Sequence, residues 1–129
     1  MATLLLDTSV IIDALNDRED RRLLLRGLVE QGNILACCGI SVAEVYAGMR
    51  PKEEERTTAF LGSLAYFPIT FPVARLAGEL KRDFAKKGAT LSLTDSVIAA
   101  VAVQHRVALM TDNVKDFPMR DLELFQLPK

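Results

Sequence analysis

Basic residues do not outnumber acidic ones in this chain, 16 against 17, and the formal net charge is -1 with a pI near 5.8. That balance excludes a protein that grips nucleic acid by bulk charge, so any such contact has to be local or assisted by a metal. Cysteine is almost absent: Cys37 and Cys38 are adjacent within an apolar run. Neighbouring positions are poorly placed for a structural disulfide and lack metal-ligand spacing, so they read as buried thiols in a reducing compartment. The one histidine, His105, falls near the end of a helix, where the helix dipole favours it, and is not read as catalytic. No apolar run approaches the roughly 20 residues needed to span a bilayer, and Asp7 interrupts the opening segment too early for a signal peptide. The expectation is a cytoplasmic protein without membrane contact. Repeats, low-complexity tracts, dividing linkers and Gly-rich phosphate loops are also missing.

What is present is an apolar half: 50% of 129 residues are hydrophobic. This is enough for one domain, residues 1–129, around an ordinary core. Strand and helix signals alternate. Leu4–Leu6 reads as a strand ending at Asp7, and Thr8 or Ser9 can cap a helix through Leu15. A helix from about Arg18 to Gln31 stops at Gly32 and Asn33, before a buried strand at Ile34–Cys38. Ser41 and Glu44 have capping-box spacing, opening a helix through Met49 that Pro51 closes. A charged helix from about Lys52 to Leu64, a strand at Tyr66–Ile69 and a helix from Pro72 to Lys87 follow, with Gly88 as the exit. Ser92 and Asp95 repeat the cap spacing ahead of a helix that is apolar from Val97 to Val103 and hence central. Strands at Val107–Met110 and Leu122–Phe125 complete the pattern. The fold class is α/β, a three-layer α/β/α sandwich around a parallel sheet of about five strands.

Open parallel sheets bind ligands at the carboxyl ends of their strands. Asp7 and the Thr111–Asp116 segment follow strands, while Glu44 and Asp95 are expected in first helical turns on the same side. Gathered carboxylates repel one another, and a divalent cation held by hard oxygens both relieves the repulsion and suits phosphoryl chemistry. Taken singly, each acid is as well explained as a turn or cap residue. Thr8, Ser9 and Thr111 have hydroxyls that can orient water or phosphate, although caps are their more common use. Arg18, Arg21, Arg22, Arg26, Arg50, Lys52 and Arg56 can line a path for RNA phosphates or form a solvated face with the acids interleaved among them.

The segments Leu5–Asp13, Ile40–Gly48, Leu93–Ala100 and Leu109–Phe117, in that order, resemble the PIN-domain nucleases. More narrowly, they are similar to the VapC-type toxins of bacterial and archaeal toxin-antitoxin systems. The resemblance spans Leu4 to Phe117. It implies an endoribonuclease dependent on Mg²⁺ or Mn²⁺, with Asp7, Glu44 and Asp95 at the acidic positions. It also implies an RNA substrate, a cognate antitoxin whose tail crosses the active-site cleft, and a homodimer, with Leu23, Leu24, Leu28, Phe60 and Leu61 either lining a groove for that segment or simply core. The fourth acidic position is ambiguous: register gives Asn113, which brings no charge, and of its acidic neighbours Asp116, after a turn, is favoured over Asp112, which strand alternation sends to the opposite side.

Two rival classes are weighed. A receiver domain or a haloacid-dehalogenase-like phosphatase would place paired acids after the first strand, where this chain reads Asp7-Thr8-Ser9. A PIN-fold binding module without activity shares the same carboxylates and is separated only by a cleavage assay.

Overall fold

The computed structural model describes residues 1–128. Five parallel strands form one sheet in the order β3-β2-β1-β4-β5. They are β1 Thr3–Leu6, β2 Ile34–Cys38, β3 Ala65–Phe67, β4 Ala108–Met110 and β5 Leu124–Phe125. Six helices flank it: α1 Thr8–Leu15, α2 Arg21–Glu30, α3 Gly39–Gly48, α4 Glu54–Gly62, α5 Phe71–Lys86 and α6 Leu93–His105. This is the three-layer parallel sandwich that the alternating pattern implied.

Period-two alternation along the strands sorts the core into two halves. Leu5, Ala36, Cys38 and Leu109 face α5 and α6, packing with Val73, Ala77 and Ile98 to Ala102. Leu4, Leu6, Leu35, Cys37, Ala108 and Met110 face the other way, against Val10, Ile11, Leu25, Val45 and Leu61 of α1 to α4. Register keeps these rows aligned, since Leu5 stands beside Ala36 on one side and Leu109 on the other. Cys37 and Cys38 therefore lie in opposite halves of the core, both free and buried.

Several boundaries differ from the sequence expectation. α2 starts at Arg21 because Asp17, Glu19 and Asp20 take left-handed backbone angles, φ 54°, 55° and 54°. The charged helix begins as a 3-10 turn, Pro51–Glu53, before α4 proper. β3 ends at Phe67, β4 begins at Ala108, and the last strand is confined to Leu124–Phe125. α5 is capped by Thr70, with Pro72 in its first turn. The C-terminal carbonyls of α1, which has no basic residue in its last turn, are met from α2: the Arg22 guanidinium donates to the carbonyls of Ala14 and Leu15 at 3.2 Å.

The strand order matters most for function. The chain runs outward from β1 through β2 to β3, then returns to lay β4 on the other side of β1. Connections leaving β1 and β4 thus diverge, opening a crevice at their carboxyl ends, where such sheets hold ligands.

The central helix gives the first test. Ile98 is fully buried between sheet and α5, so Ile98→Ala is expected to destabilise by about 2–5 kcal/mol. Urea unfolding should show a lower midpoint with an unchanged slope. A midpoint within error of the wild type would contradict this packing.

Candidate functional site

Asp7 is the first residue past β1, and its N–H donates to the Met110 carbonyl at 2.9 Å, extending the β1–β4 ladder by one step. Its side chain is 4% exposed. It, not Thr8 or Ser9, caps α1: Oδ1 accepts from the Thr8 N–H at 2.8 Å. Oδ2 accepts from the hydroxyls of Thr111 (2.7 Å) and Ser9 (3.3 Å). Three neutral donors thus occupy most of the roughly four acceptor sites of a carboxylate and leave its charge uncancelled. Burial pushes the Asp7 carboxyl above its ordinary value, the bonds from Thr111, Thr8 and Ser9 pull it back, and the charge of Glu44 pushes it up again.

Glu44 does not sit in a first turn. α3 starts at Gly39 with Cys38 as its cap, so the expected Ser41–Glu44 capping box does not form, and Glu44 lies a turn deeper. Ser41 is instead fully buried inside the helix, its Oγ 2.9 Å from Thr8 Oγ1. Thr8 Oγ1 donates to Glu44 Oε1 at 2.6 Å. A chain of contacts therefore ties the start of α1 to α3 and brings Glu44 to the Asp7 side of the crevice.

Asp95 lies in the first turn of α6, as its spacing implied, with the Ser92 hydroxyl capping the helix by accepting from the Asp95 N–H at 3.0 Å. The Asp95 carboxyl is half-buried, and burial raises it most; Ser92 lowers it, and the charges of Asp7 and Asp116 raise it further. The β4 exit separates the candidates for the fourth position. Thr111 is buried on Asp7, and its hydroxyl also accepts from the Asn113 N–H at 2.9 Å. Asp112 turns away to pair with Arg21 at 2.7 Å. Asp116, exposed at the end of a 3-10 turn, is the neighbour whose charge reaches Asp95.

Four acids therefore share one electrostatic neighbourhood at the carboxyl edge. Among the described residues no lysine or arginine forms an ion pair with Asp7, Glu44, Asp95 or Asp116. No three of them are close enough in this arrangement to form a ready ion cage. Glu44 and Asp116 are exposed, Glu44 held by the single bond from Thr8, whereas Asp7 is fixed by three donors. In donor chemistry the set fits a hard divalent cation: oxygen ligands, excess negative charge, and a buried carboxylate without a counter-ion.

Sequence reasoning underweighted Thr111 and gave Ser41 the wrong task. Of the two readings of the basic residues, the one with acids interleaved among them describes several. Arg21 is buried on Asp112, Arg22 caps α1, and Arg50 and Arg56 both pair with Glu53. The groove reading needs correction too. An apolar groove of about 450 Å³ lies at the amino edge of the sheet between α2 and α4, lined by Leu25, Val29, Leu35, Phe60 and Leu64. Of the five residues expected there, only Phe60 lines it. Leu28 and Leu61 are core, while Leu23 is 68% exposed and borders, with Leu24, a separate groove.

Residues 4–118 match the PIN domain family. The chain belongs to the PIN-domain family. Within it the chain is of the VapC type. It is 30% identical to Ribonuclease VapC19 of Mycobacterium tuberculosis over 89% of this chain and 92% of that protein. It is 27% identical to Ribonuclease VapC2 of Rickettsia felis over 88% of each. Among solved structures, the VapBC2 complex of Rickettsia felis bound to a promoter DNA fragment superposes with a TM-score of 0.82 at 26% identity, covering 95% of this chain and 97% of that one. In VapBC-1 from nontypeable Haemophilus influenzae the fold is the same, with a TM-score of 0.79 at 21% identity over 95% of this chain and 96% of the other. The matched span of this PIN-domain chain contains all four acids.

Burial of Asp7 has a pH signature. A carboxyl whose folded pKa is raised costs stability once it ionises, so the cost is absent below the unfolded value of 3.8 and complete above the raised folded value. Without metal, Asp7→Asn, which keeps an acceptor oxygen but cannot ionise, should melt above the wild type at pH 7. The gap should close as pH falls toward 4. Thermal melts in a chelator across that range test it, and an Asn variant that melts lower at every pH contradicts it.

Proposed function

We propose that this VapC-type ribonuclease hydrolyses RNA phosphodiester bonds with a divalent cation, Mg²⁺ or Mn²⁺, held by Asp7 and Asp95 and completed by Glu44 and Asp116. The observation that carries this reading is the Asp7 carboxylate, buried among neutral donors at the switch point of the sheet and flanked by other acids without a cation. A bound cation there supplies an activated water and neutralises charge on the attacked phosphate. The residues of the chain do the rest. Thr111, Ser9 and the Thr8 N–H fix the direction of Asp7, and Ser92 fixes the start of α6 and with it Asp95. Thr8 holds Glu44 toward the same crevice, where its exposed carboxylate can accept a proton from water. No histidine is needed for this acid-base work.

Glu44 also borders a small recess with Asn16, Glu53 and Arg56, and the last three line a shallower surface with Arg50 and Lys52. That continuity supports an RNA path leading away from the acids over the start of α4. The partner of this toxin is a cognate antitoxin, and the apolar groove between α2 and α4, rimmed by Arg22, Arg26 and Glu30, suits an amphipathic segment of it. Among the described residues no helix is long and apolar enough to cross a membrane, and free buried thiols agree with a cytoplasmic setting.

Cleavage of mixed RNA in Mg²⁺ or Mn²⁺ tests the reaction. Loss of a metal ligand removes several kcal/mol of transition-state stabilisation, so Asp7→Asn and Asp95→Asn should each lower kcat by about a hundredfold or more. Asp116→Ala should lose less and recover as Mn²⁺ is raised. Wild-type rates in either Asn variant would overturn the mechanism, and a wild type that leaves RNA intact would leave only a binding module.

We propose a homodimer as well. Tyr66, Ile69, Phe71 and Leu93 expose apolar side chains around the end of β3 and the starts of α5 and α6, with Phe71 81% exposed. Light scattering at tens of micromolar, roughly where weak dimers form, should give twice the chain mass. A monomer there sinks the dimer.

A further inference from the structure

Arg21 is buried, 4% exposed, and takes no part in the reaction above. Its Nη2 donates to Asp112 Oδ1 at 2.7 Å and its Nη1 to the Glu19 carbonyl at 3.2 Å. Its Nε–H is buried without a partner among the described residues. A buried, incompletely satisfied guanidinium is a weak source of stability, because an apolar replacement of such a pair is often neutral or better. The backbone leading to it is unfavourable as well, with left-handed angles at Asp17, Glu19 and Asp20, conformations that persist only where surrounding structure imposes them. Folding alone is a poor account of this arrangement.

The other end of the pair explains it better. Asp112 follows Thr111, the residue whose hydroxyl donates to Asp7 Oδ2 at 2.7 Å and accepts from the Asn113 N–H at 2.9 Å. Just past β4 the Thr111 side chain reaches Asp7 while that of its neighbour Asp112 reaches Arg21 of α2. Pinning Asp112 to α2 on one side therefore sets the rotation of Thr111 on the other. We propose that Arg21 is a positioning residue for RNA cleavage: through Asp112 it holds the 111–113 turn so that Thr111 keeps Asp7 aimed into the crevice. This rests on the cleavage reading above, and it gives Asp112 a task different from that of Asp116.

The test is a chain carrying Arg21→Met and Asp112→Asn together, which removes both charges while keeping an apolar stem in the interior. Its kcat at saturating Mn²⁺ should fall about tenfold or more, as for a small misplacement of a reacting group, with KM for a short RNA within about twofold. Added to Thr111→Val, the pair should cost little further, because all three changes act through the same bond. In the metal-free protein, amide exchange at Asn113 should quicken while that at Ile98 in the core stays slow. Wild-type kcat, losses that multiply with Thr111→Val, unchanged exchange at Asn113, or a rate loss that only tracks the folded fraction would each overturn the proposal. If the paired variant does not fold, Asp112→Asn alone carries the same readouts. A wild type that fails to cut RNA defeats the cleavage reading, and the exchange at Asn113 then still decides whether Arg21 orders the turn.

Discussion

The constraint on which the rest of the site depends is a negative charge kept at the end of a strand made of leucines. β1 is the central strand, Leu4 to Leu6 are buried on both faces, and the next residue is Asp7. An ionised carboxylate there loses much of its hydration, and no arginine or lysine arrives to replace it. The fold instead supplies dipoles: one helical N–H and two hydroxyls, drawn from the start of α1 and from the end of β4. Such partners hold direction well and neutralise charge poorly. That combination suits a ligand whose own charge completes the site.

The same logic extends outward. Two of the acids near Asp7 are placed by hydroxyls: Thr8 donates to the Glu44 carboxylate, and Ser92 caps the first turn of α6 that carries Asp95. Hydroxyl partners leave the carboxylates charged, whereas arginines in their place would fill the crevice with internal ion pairs. Arginine is used only one step away, on Asp112 and on the carbonyls that close α1. On the proposed reaction, a chain with a net charge of -1 would attract a polyanion through a cation brought by the site and through the basic rim near Lys52, not through its whole surface.

The parallel sandwich was legible because strand runs and cap signals alternate and each half of the core needs only its own period. Asp95 was placed well because a Ser-x-x-Asp start is a local device, and α6 is apolar enough to leave one solution for its burial. Ser41-x-x-Glu44 carries the same local signal and was misread. There a long-range contact won: Ser41 meets Thr8 across 33 residues, and a helix that begins at Gly39 buries Ser41 and Val45 together. The start of α2 was misplaced because Asp17, Glu19 and Asp20 take left-handed angles in a local turn, Asp17 N–H and Arg18 N–H bonding back to the carbonyls of Ala14 and Asp13. Arg21 looked like a surface cation from its neighbours in sequence, and only the return of β4 supplies Asp112, 91 residues later. Thr111 was undervalued because a threonine at a strand end has many bland uses, and its tie to Asp7 spans 104 residues.

These long-range ties also determine what binding does to the fold. Burial raises the carboxyls of both Asp7 and Asp95 above their ordinary values, so ionising them in the ligand-free chain costs stability. A ligand that prefers the ionised, folded arrangement shifts the equilibrium toward it by mass action. The gain is set by ligand concentration relative to its dissociation constant, whichever edge the ligand occupies, the acids or the α2–α4 groove. The two edges belong to neighbouring strands, since the strand that ends in Asp7 also pairs with β2, whose first residues line that groove.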